Sequence, residues 1–329
     1  LAVSLWMRLK LSESPIFKAM KEAGETAKNP FVESLTYPGN LKRLFVALFG
    51  VAAGLTVIWY TALFSTLSFL TTTMRVDETT AQLIVGFGGF CGLFWFILFG
   101  RISDRVGRKG PIVIGYALTL VMLFPIFWVI GGSANPALVH ANKRAPVIVS
   151  GPNCDYSLTN MILSKKQDNE CAQLLDYFSK KGVAYTKGTT PAVVVVIGGE
   201  AVADTSPAGL DAALKEAGYS LVKVQPTAWG VLAILVAMLV MSALAGGTYG
   251  PVAALLAGMF PPRIRYSSMS IPYHIGTGYF GGFLPLISQL IVAKTGDPYA
   301  GLWYTWYVVL GALIVSLWGL TWKGEKPTA

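Results

Sequence analysis

Few polar side chains interrupt the long apolar stretches of this sequence, and these few are the candidates for chemistry. His274 is the first of them, because imidazole is the side chain that changes charge near neutral pH, and it also suits contact with a carboxylate. A structural histidine bonded to a neighbouring helix is the alternative. The other candidates for contact with a small solute or a proton are Gln289, Tyr60, Trp59 and Tyr249.

None of the six apolar stretches contains an Asp or a Glu. Proton exchange within a membrane needs a titratable group there, so its expected site is either His274 or a carboxylate outside this chain. Five residues of the fifth stretch recur at steps of three or four, which predicts one shared helix face: His274, Gly278, Gly281, Pro285 and Gln289. The glycines and prolines of this stretch, including Pro272, are expected to serve helix packing and bending.

A dense charged motif separates the second and third apolar stretches. Its residues are Gly100, Asp104, Arg105, Gly107, Arg108 and Lys109. We expect a tight loop in water, with Asp104 just before a helix that starts near Pro111 and complementing its positive end. A second basic loop contains Arg263 and Arg265. Short loops rich in Lys and Arg remain in the cytoplasm, so both loops are predicted to be cytoplasmic.

Composition alone predicts a membrane protein. The 329 residues are 53% hydrophobic and only 13% charged, with a mean hydropathy of +0.56. The net charge of +9 comes from bases beside apolar stretches, which fits orientation in a bilayer and excludes nucleic acid as a partner. No spacing of Cys and His predicts a metal site, and no phosphate loop or nucleophile elbow indicates an enzyme or a cofactor.

The chain divides into five predicted regions. These are a cytoplasmic linker with an interfacial helix (1–43), three spans (44–130), an insert (131–226), three more spans (227–322) and a cytoplasmic tail (323–329). The individual spans are predicted over 44–70, 83–100, 111–130, 228–259, 268–293 and 302–322. The fourth is long enough to tilt or to contain an irregular segment at 246–251.

The insert is too long for an ordinary loop, and its polar composition predicts a small soluble α/β fold. Helices are expected at 171–181 and 208–217, and strands at 191–197 and 220–224, with a turn at Gly198 and Gly199. Three spans precede the insert, which places it outside the cytoplasm. There, Cys154 and Cys171 either form a disulfide or remain two free buried thiols.

The charged motif resembles the Gly-x-Leu-x-Asp-Arg-x-Gly-Arg-Arg/Lys loop of the major facilitator superfamily, with Ile102 and Val106 as mild departures. Four further segments resemble its bacterial metabolite:proton symporter family: 57–61, 260–265, 270–276 and 278–282. The resemblance implies an all-α membrane fold, in which this chain is the six-helix carboxy-terminal half of twelve spans. It also implies proton-coupled secondary transport of an organic acid or a zwitterion by alternating access. The charged motif would then be a cytoplasmic gate.

The partners implied by the resemblance are a small solute, the lipid bilayer of the bacterial inner membrane and an amino-terminal half. That half is expected in the same full-length chain, of which this sequence would be a fragment, or in a separate partner chain. The competing interpretation is a membrane-anchored receptor or binding module that uses the insert. Spans broken by Gly and Pro and a gate-like motif favour the transporter, because a mere anchor needs neither.

Overall fold

Six helices of the computed structural model are long and apolar enough to cross a membrane. Numbered as spans 1 to 6, they cover Asn40–Thr73, Glu78–Val106, Lys109–Ala134, Ala228–Met259, Pro262–Thr295 and Leu302–Gly319. The structure describes residues 5–6, 15–24 and 27–321, so the predicted tail at 323–329 lies outside it. The expected all-α membrane architecture with a small α/β insert is confirmed.

Two short helices, Pro15–Glu22 and Pro30–Thr36, precede span 1 in the segment predicted to be a linker. The second packs on the start of span 5 through a small polar network. There, the Asn40 amide donates to the Ser34 carbonyl at 2.7 Å and to the Ser268 hydroxyl at 3.0 Å. These bonds join the residues before span 1 to the bundle.

Several spans are longer than their apolar stretches. Span 2 begins at Glu78, where the Asp77 side chain accepts a hydrogen bond from the Thr80 amide at 3.0 Å. It runs on to Val106, and span 3 continues to Ala134. Hydropathy marks only the part of a helix that lies in hydrocarbon, so the polar turns at the ends were missed.

Span 1 lies in the interior of the bundle, whereas span 5 lies at its surface. The most apolar window of span 1 is 72% buried, against 17% for span 5. Gly54 allows spans 3 and 6 to approach span 1 closely, because a Cβ there would lie 2.5 Å from the Ala312 methyl group and 2.7 Å from the Tyr116 ring. Span 5 is therefore the least buried of the six described spans.

Span 1 alternates between α-helical and π-helical segments. The π segments are Val46–Ala52, Thr61–Ser65 and Phe69–Thr73. They lie between the α segments Asn40–Phe45, Ala53–Tyr60 and Thr66–Ser68. Side chains of neighbouring spans bond to carbonyls of the first π segment: the Tyr116 hydroxyl donates to Val51 at 2.9 Å, and the Ser316 hydroxyl donates to Gly50 at 2.5 Å. Such π segments are frequent at functional sites.

Spans 4 and 5 are also interrupted. Span 4 consists of Ala228–Tyr249 and Val252–Met259, with the break at Gly250 and Pro251, inside the segment predicted to be irregular. Span 5 consists of the short helix Pro262–Ile264, the α-helix Arg265–Ile275, the π segment Gly276–Gly281 and the α-helix Leu284–Thr295.

The insert contains four helices and one four-stranded sheet. The helices are α1 (Pro136–Arg144), α2 (Leu158–Ile162), α3 (Glu170–Lys180) and α4 (Pro207–Glu216). The strands are β1 (Val147–Ser150), β2 (Tyr185–Gly188), β3 (Val194–Ile197) and β4 (Glu200–Val202). Their order is β2-β1-β3-β4, and only the β1–β2 pair is parallel. Val147 pairs with both Tyr185 and Ile197.

The prediction for the insert was correct for α3, α4 and β3 but incomplete elsewhere. The strand expected at 220–224 is absent from the sheet, and Val224 instead makes a single bridge to Val76, just after span 1. Helices α1 and α2 and strands β1, β2 and β4 were missed. Strands β2 and β4 have only four and three residues, too few for hydropathy or alternation to mark them.

Cys154 and Cys171 form a disulfide with their Cα atoms 5.0 Å apart, which settles the two alternatives in favour of pairing. Cys171 lies on α3 in the core of the insert. The bond therefore fastens the loop after β1 to the buried face of α3.

The insert rests directly on the ends of the spans, and we call this end of the bundle the insert side. The Arg75 guanidinium, just after span 1, donates to the Leu221 carbonyl at 3.0 Å. The Tyr185 hydroxyl on β2 donates to the Ala293 carbonyl of span 5 at 2.5 Å. Since spans alternate in direction, the charged motif and the second basic loop both lie at the opposite end.

Candidate functional site

The charged motif is the end of a helix rather than a loop. Asp104 and Arg105 lie in the last turn of span 2, and the chain turns only at Gly107, whose φ is +90°. Span 3 then begins at Lys109. The expectation that Asp104 precedes the third span as a helix cap is therefore wrong. Gly100 lies inside the α-helix of span 2. Gly107 has the positive φ that glycine adopts more readily than other residues, and it ends that helix.

Two bases of the motif bind carbonyls of the same bundle. Arg108 donates to the Ala254 carbonyl of span 4 at 2.6 Å. The buried Lys109 ammonium donates to the carbonyls of Leu317 and Leu320, at 2.9 and 2.5 Å, where span 6 ends. Cations stabilise the carbonyl ends of helices, as Lys109 does at the end of span 6. Arg108 binds a carbonyl near the start of Val252–Met259 and so holds span 4 to span 3.

Asp104 and Arg105 differ from these two bases. Both are exposed, and neither has an ion-pair or hydrogen-bond partner in the part of the chain that the structure describes. Within the motif, these are the charges left available for a surface outside this bundle.

The second basic loop is tied to the amino-terminal segment. Arg263 donates to the Glu33 carboxylate at 2.9 Å, and this hydrogen bond lowers the pKa of Glu33. Arg265 donates to the Phe260 carbonyl at 3.2 Å. Both predicted arginines thus serve contacts within the described chain.

The candidate tyrosines come together on the surface formed by spans 1, 2, 4 and 5. The hydroxyls of Tyr249 and Tyr273 are 2.5 Å apart, which joins spans 4 and 5. The Phe96 ring of span 2 lies 5.7 Å from that of Tyr249. Tyr60 of span 1 lies in the same region, with its ring against Gly281 of span 5. We call Tyr60, Tyr249 and Tyr273 the tyrosine cluster.

Two more predicted residues border the tyrosine cluster. The Trp59 ring lies 5.3 Å from that of Tyr60 in an edge-on arrangement. His274 is exposed at the bundle surface, and its ring lies 5.7 Å from that of Tyr273. The structure thus brings Trp59, Tyr60, Tyr249 and His274 to one region of the bundle.

The predicted common face of span 5 does not exist. Gly281 is buried, and a Cβ there would contact Thr56 and lie 2.9 Å from the Tyr60 ring, whereas one on Gly278 would meet nothing within 4 Å. Pro285 opens the helix after the π segment. The π segment changes the helical register between His274 and Gln289. The α-helical spacing of three or four residues therefore does not predict a shared face across it.

Gln289 belongs to a second polar region, near the insert. Its amide donates to the Ser68 hydroxyl of span 1 at 3.3 Å. Both side chains line a cavity of about 280 Å³ between spans 1, 5 and 6 and the insert. We call this space the insert-side cavity.

Sequence reasoning missed Tyr273, the cluster partner of Tyr249, and every insert residue of the insert-side cavity. Tyr273 stands next to His274, so a search for aromatic residues beside the intramembrane histidine would have found it. For the insert residues no sequence signal exists, because they reach the spans only through the folding of the insert.

Six spans, a polar insert and two polar regions define a multi-pass membrane protein. Its curated relatives are transporters. A Staphylococcus aureus (strain COL) protein, provisionally named a proline/betaine transporter, is 38% identical over 72 residues, which are 22% of this chain and 16% of that protein. The ectoine/proline transporter ProP of Corynebacterium glutamicum is 33% identical over 100 residues, covering 30% and 19%.

The citrate-proton symporter of Klebsiella pneumoniae is 31% identical over 83 residues, covering 25% of this chain and 19% of the symporter. The matches thus span less than a fifth of the length of these relatives. No family profile matches the chain, and no solved structure does. The chain is therefore similar, over less than a third of its length, to proteins named as transporters of proline, betaine, ectoine or citrate.

Proposed function

We propose that this chain is part of a secondary transporter that carries a small zwitterion of the proline or betaine kind by alternating access. The observation that carries the proposal is the uncharged tyrosine cluster. Away from their ends, the six spans contain no Asp, Glu, Lys or Arg. A multiply charged acid needs fixed cations, whereas the faces of aromatic rings attract an ammonium group and phenol hydroxyls donate to a single carboxylate.

The insert-side end is the extracytoplasmic end in this proposal. Short loops rich in Arg and Lys lie at the opposite end, which the positive-inside rule assigns to the cytoplasm. The Cys154–Cys171 disulfide supports the same orientation, because such bonds persist in oxidising compartments. Both termini would then be cytoplasmic, in a bacterial inner membrane.

The transport path is proposed to close against a second six-span body in the same protein or in a partner chain. The open surface of span 5, with His274 and the neighbouring Tyr273, supplies one wall of that path. Protons are the proposed coupling ion, with His274 as the candidate site in this chain. Its exposed position beside the tyrosine cluster would let the imidazole exchange protons near the solute.

Uptake into vesicles tests the function. The protein from its complete reading frame is reconstituted, and radiolabelled proline, betaine and citrate are offered under an imposed pH gradient. We expect proline or betaine uptake that Tyr249→Phe weakens, with KM raised about fivefold, since one neutral hydrogen bond contributes about 1 kcal/mol. Tyr266→Phe is the matched control, because Tyr266 is exposed near the start of span 5, about two helical turns before Tyr273.

The outcomes of the uptake experiment separate the alternatives. Citrate uptake without proline or betaine uptake would overturn the zwitterion assignment. Solute binding without any uptake would favour the membrane-anchored receptor. Uptake by His274→Gln that responds normally to the pH gradient would remove His274 as the proton site.

The free charges of the motif predict a gating effect. Asp104→Asn should lower the maximal uptake rate about two- to fivefold while leaving KM nearly unchanged, because an exposed ion pair contributes about 0.2–1 kcal/mol and Asp104 is remote from the tyrosine cluster. Glu216→Gln is the control, because this exposed carboxylate of the insert has no ion-pair partner among the described residues. A change in KM at constant maximal rate would contradict the gating role of Asp104.

A further inference from the structure

The insert-side cavity has walls from both the membrane bundle and the insert. The bundle contributes hydroxyl and amide groups: Ser65 and Ser68 of span 1, and Ser288 and Gln289 of span 5. The insert contributes charged groups, chiefly Lys165, Asp176 and Lys180. Ser65 lies roughly two helical turns before the end of span 1, so the cavity reaches well into the bundle.

One polar atom on the bundle wall lacks a partner. The Ser65 hydroxyl oxygen is buried and makes no hydrogen bond with any described residue. A buried hydroxyl left unpaired costs about 1–3 kcal/mol. Ser65 belongs to the π segment Thr61–Ser65, a kind of distortion that is frequent where a helix serves a ligand. Rotation of the Ser65 side chain about χ1 would turn this hydroxyl toward a polar ligand in the cavity.

The charges on the insert wall have both signs. The Asp176 carboxylate accepts from the Lys180 ammonium at 2.6 Å and from the Tyr156 hydroxyl at 2.8 Å. Burial raises the pKa of Tyr156, which keeps this phenol protonated as a donor. Lys165 is exposed and has no ion-pair partner in the described ranges. The cavity is thus lined by one cation without an ion-pair partner among the described residues, Lys165, and by one carboxylate held in place by two donors, Asp176.

The geometry points to a second solute site: we propose that the insert-side cavity binds a small zwitterion before it reaches the tyrosine cluster. Lys165 pairs with the carboxylate of the zwitterion, Asp176 faces its cationic group, and Ser65 hydrogen-bonds to its polar atoms. This inference rests on the proposed transport of zwitterions. It assigns the insert a role in loading the solute rather than in anchoring or signalling.

Equilibrium binding of radiolabelled betaine and proline to the purified, detergent-solubilised protein tests this site, with uptake by vesicles measured in parallel. Lys165→Gln should raise Kd and KM about three- to fivefold and leave the maximal rate unchanged, as expected for one exposed ion pair. Lys166→Gln is the matched control, since this neighbouring lysine is exposed and does not line the cavity. Ser65→Ala should likewise weaken binding.

The two proposals fail in different ways. Normal proline or betaine uptake with equal behaviour of Lys165→Gln and Lys166→Gln would overturn the second site and leave transport intact. Binding that depends on Lys165 without uptake would overturn transport and retain the site. If Ser65→Ala gains thermal stability while its affinity for the solute is unchanged, the Ser65 hydroxyl does not contact the solute, and its proposed role is overturned. Displacement of the solute by glycerophosphocholine at lower concentrations would assign the cavity to a lipid headgroup instead.

Discussion

Gly281→Ala should lower the melting temperature of the solubilised protein by about 5 °C, whereas Gly278→Ala should leave it unchanged or raise it. A Cβ on Gly281 would run into Thr56 and the Tyr60 ring, both on span 1. Overpacking of this kind costs about 1–3 kcal/mol. For a chain of this size, each kcal/mol shifts the melting temperature by roughly 2–4 °C.

Gly278 is the matched control because it lies in the same π segment, three residues earlier, with nothing within 4 Å of its Cβ position. Alanine there gains helix propensity of up to about 1 kcal/mol without a new contact. The measurement is thermal unfolding followed by intrinsic fluorescence. Equal shifts for the two variants would mean that span 5 does not pack on span 1 through Gly281.

The same pair of variants should differ in transport. Gly281 packs beside Tyr60, so displacing the π segment displaces one member of the tyrosine cluster. We expect Gly281→Ala to reduce the ratio of maximal rate to KM about tenfold at a temperature where the protein remains folded. Such an effect links the bend of span 5 to solute contact rather than to stability alone.

Gly182→Ala should loosen the insert from the membrane bundle. Gly182 has a φ of +71°, and its Cβ position is occupied by the Thr73 carbonyl at the end of span 1. A left-handed backbone costs an alanine about 1–2 kcal/mol. The steric conflict with the rigid Thr73 carbonyl exists only when the insert is docked, so it should weaken docking by about 2 kcal/mol.

Gly199→Ala separates these two causes. Gly199 also has a positive φ, +96°, but its Cβ position is open. The measurement is the rate at which trypsin cleaves the insert in the solubilised protein. The insert of Gly182→Ala should be cleaved at least tenfold faster than that of Gly199→Ala. Equal cleavage rates would show that backbone strain alone acts and that the contact with Thr73 does not hold the insert in place.

Much of the membrane architecture could be predicted from the hydropathy of short segments of the sequence. Six spans and the position of the insert depend on hydropathy counted over about 20 residues. Helices α3 and α4 followed from periodicity, and the spacing of Asp104, Arg105 and Gly107 pointed to the similarity with proteins named as transporters. These properties need no knowledge of which distant residues touch.

Tertiary structure alone decided the details on which function depends. The π segments of spans 1 and 5 form where neighbouring spans pack and bond, and the one in span 5 leaves Gly278 open while Gly281 is buried. Arg108 and Lys109 became structural because a carbonyl of span 4 and the carbonyl end of span 6 lie within reach. The tyrosine cluster and the insert-side cavity join residues from distant parts of the chain, and such contacts arise from packing that no local pattern records.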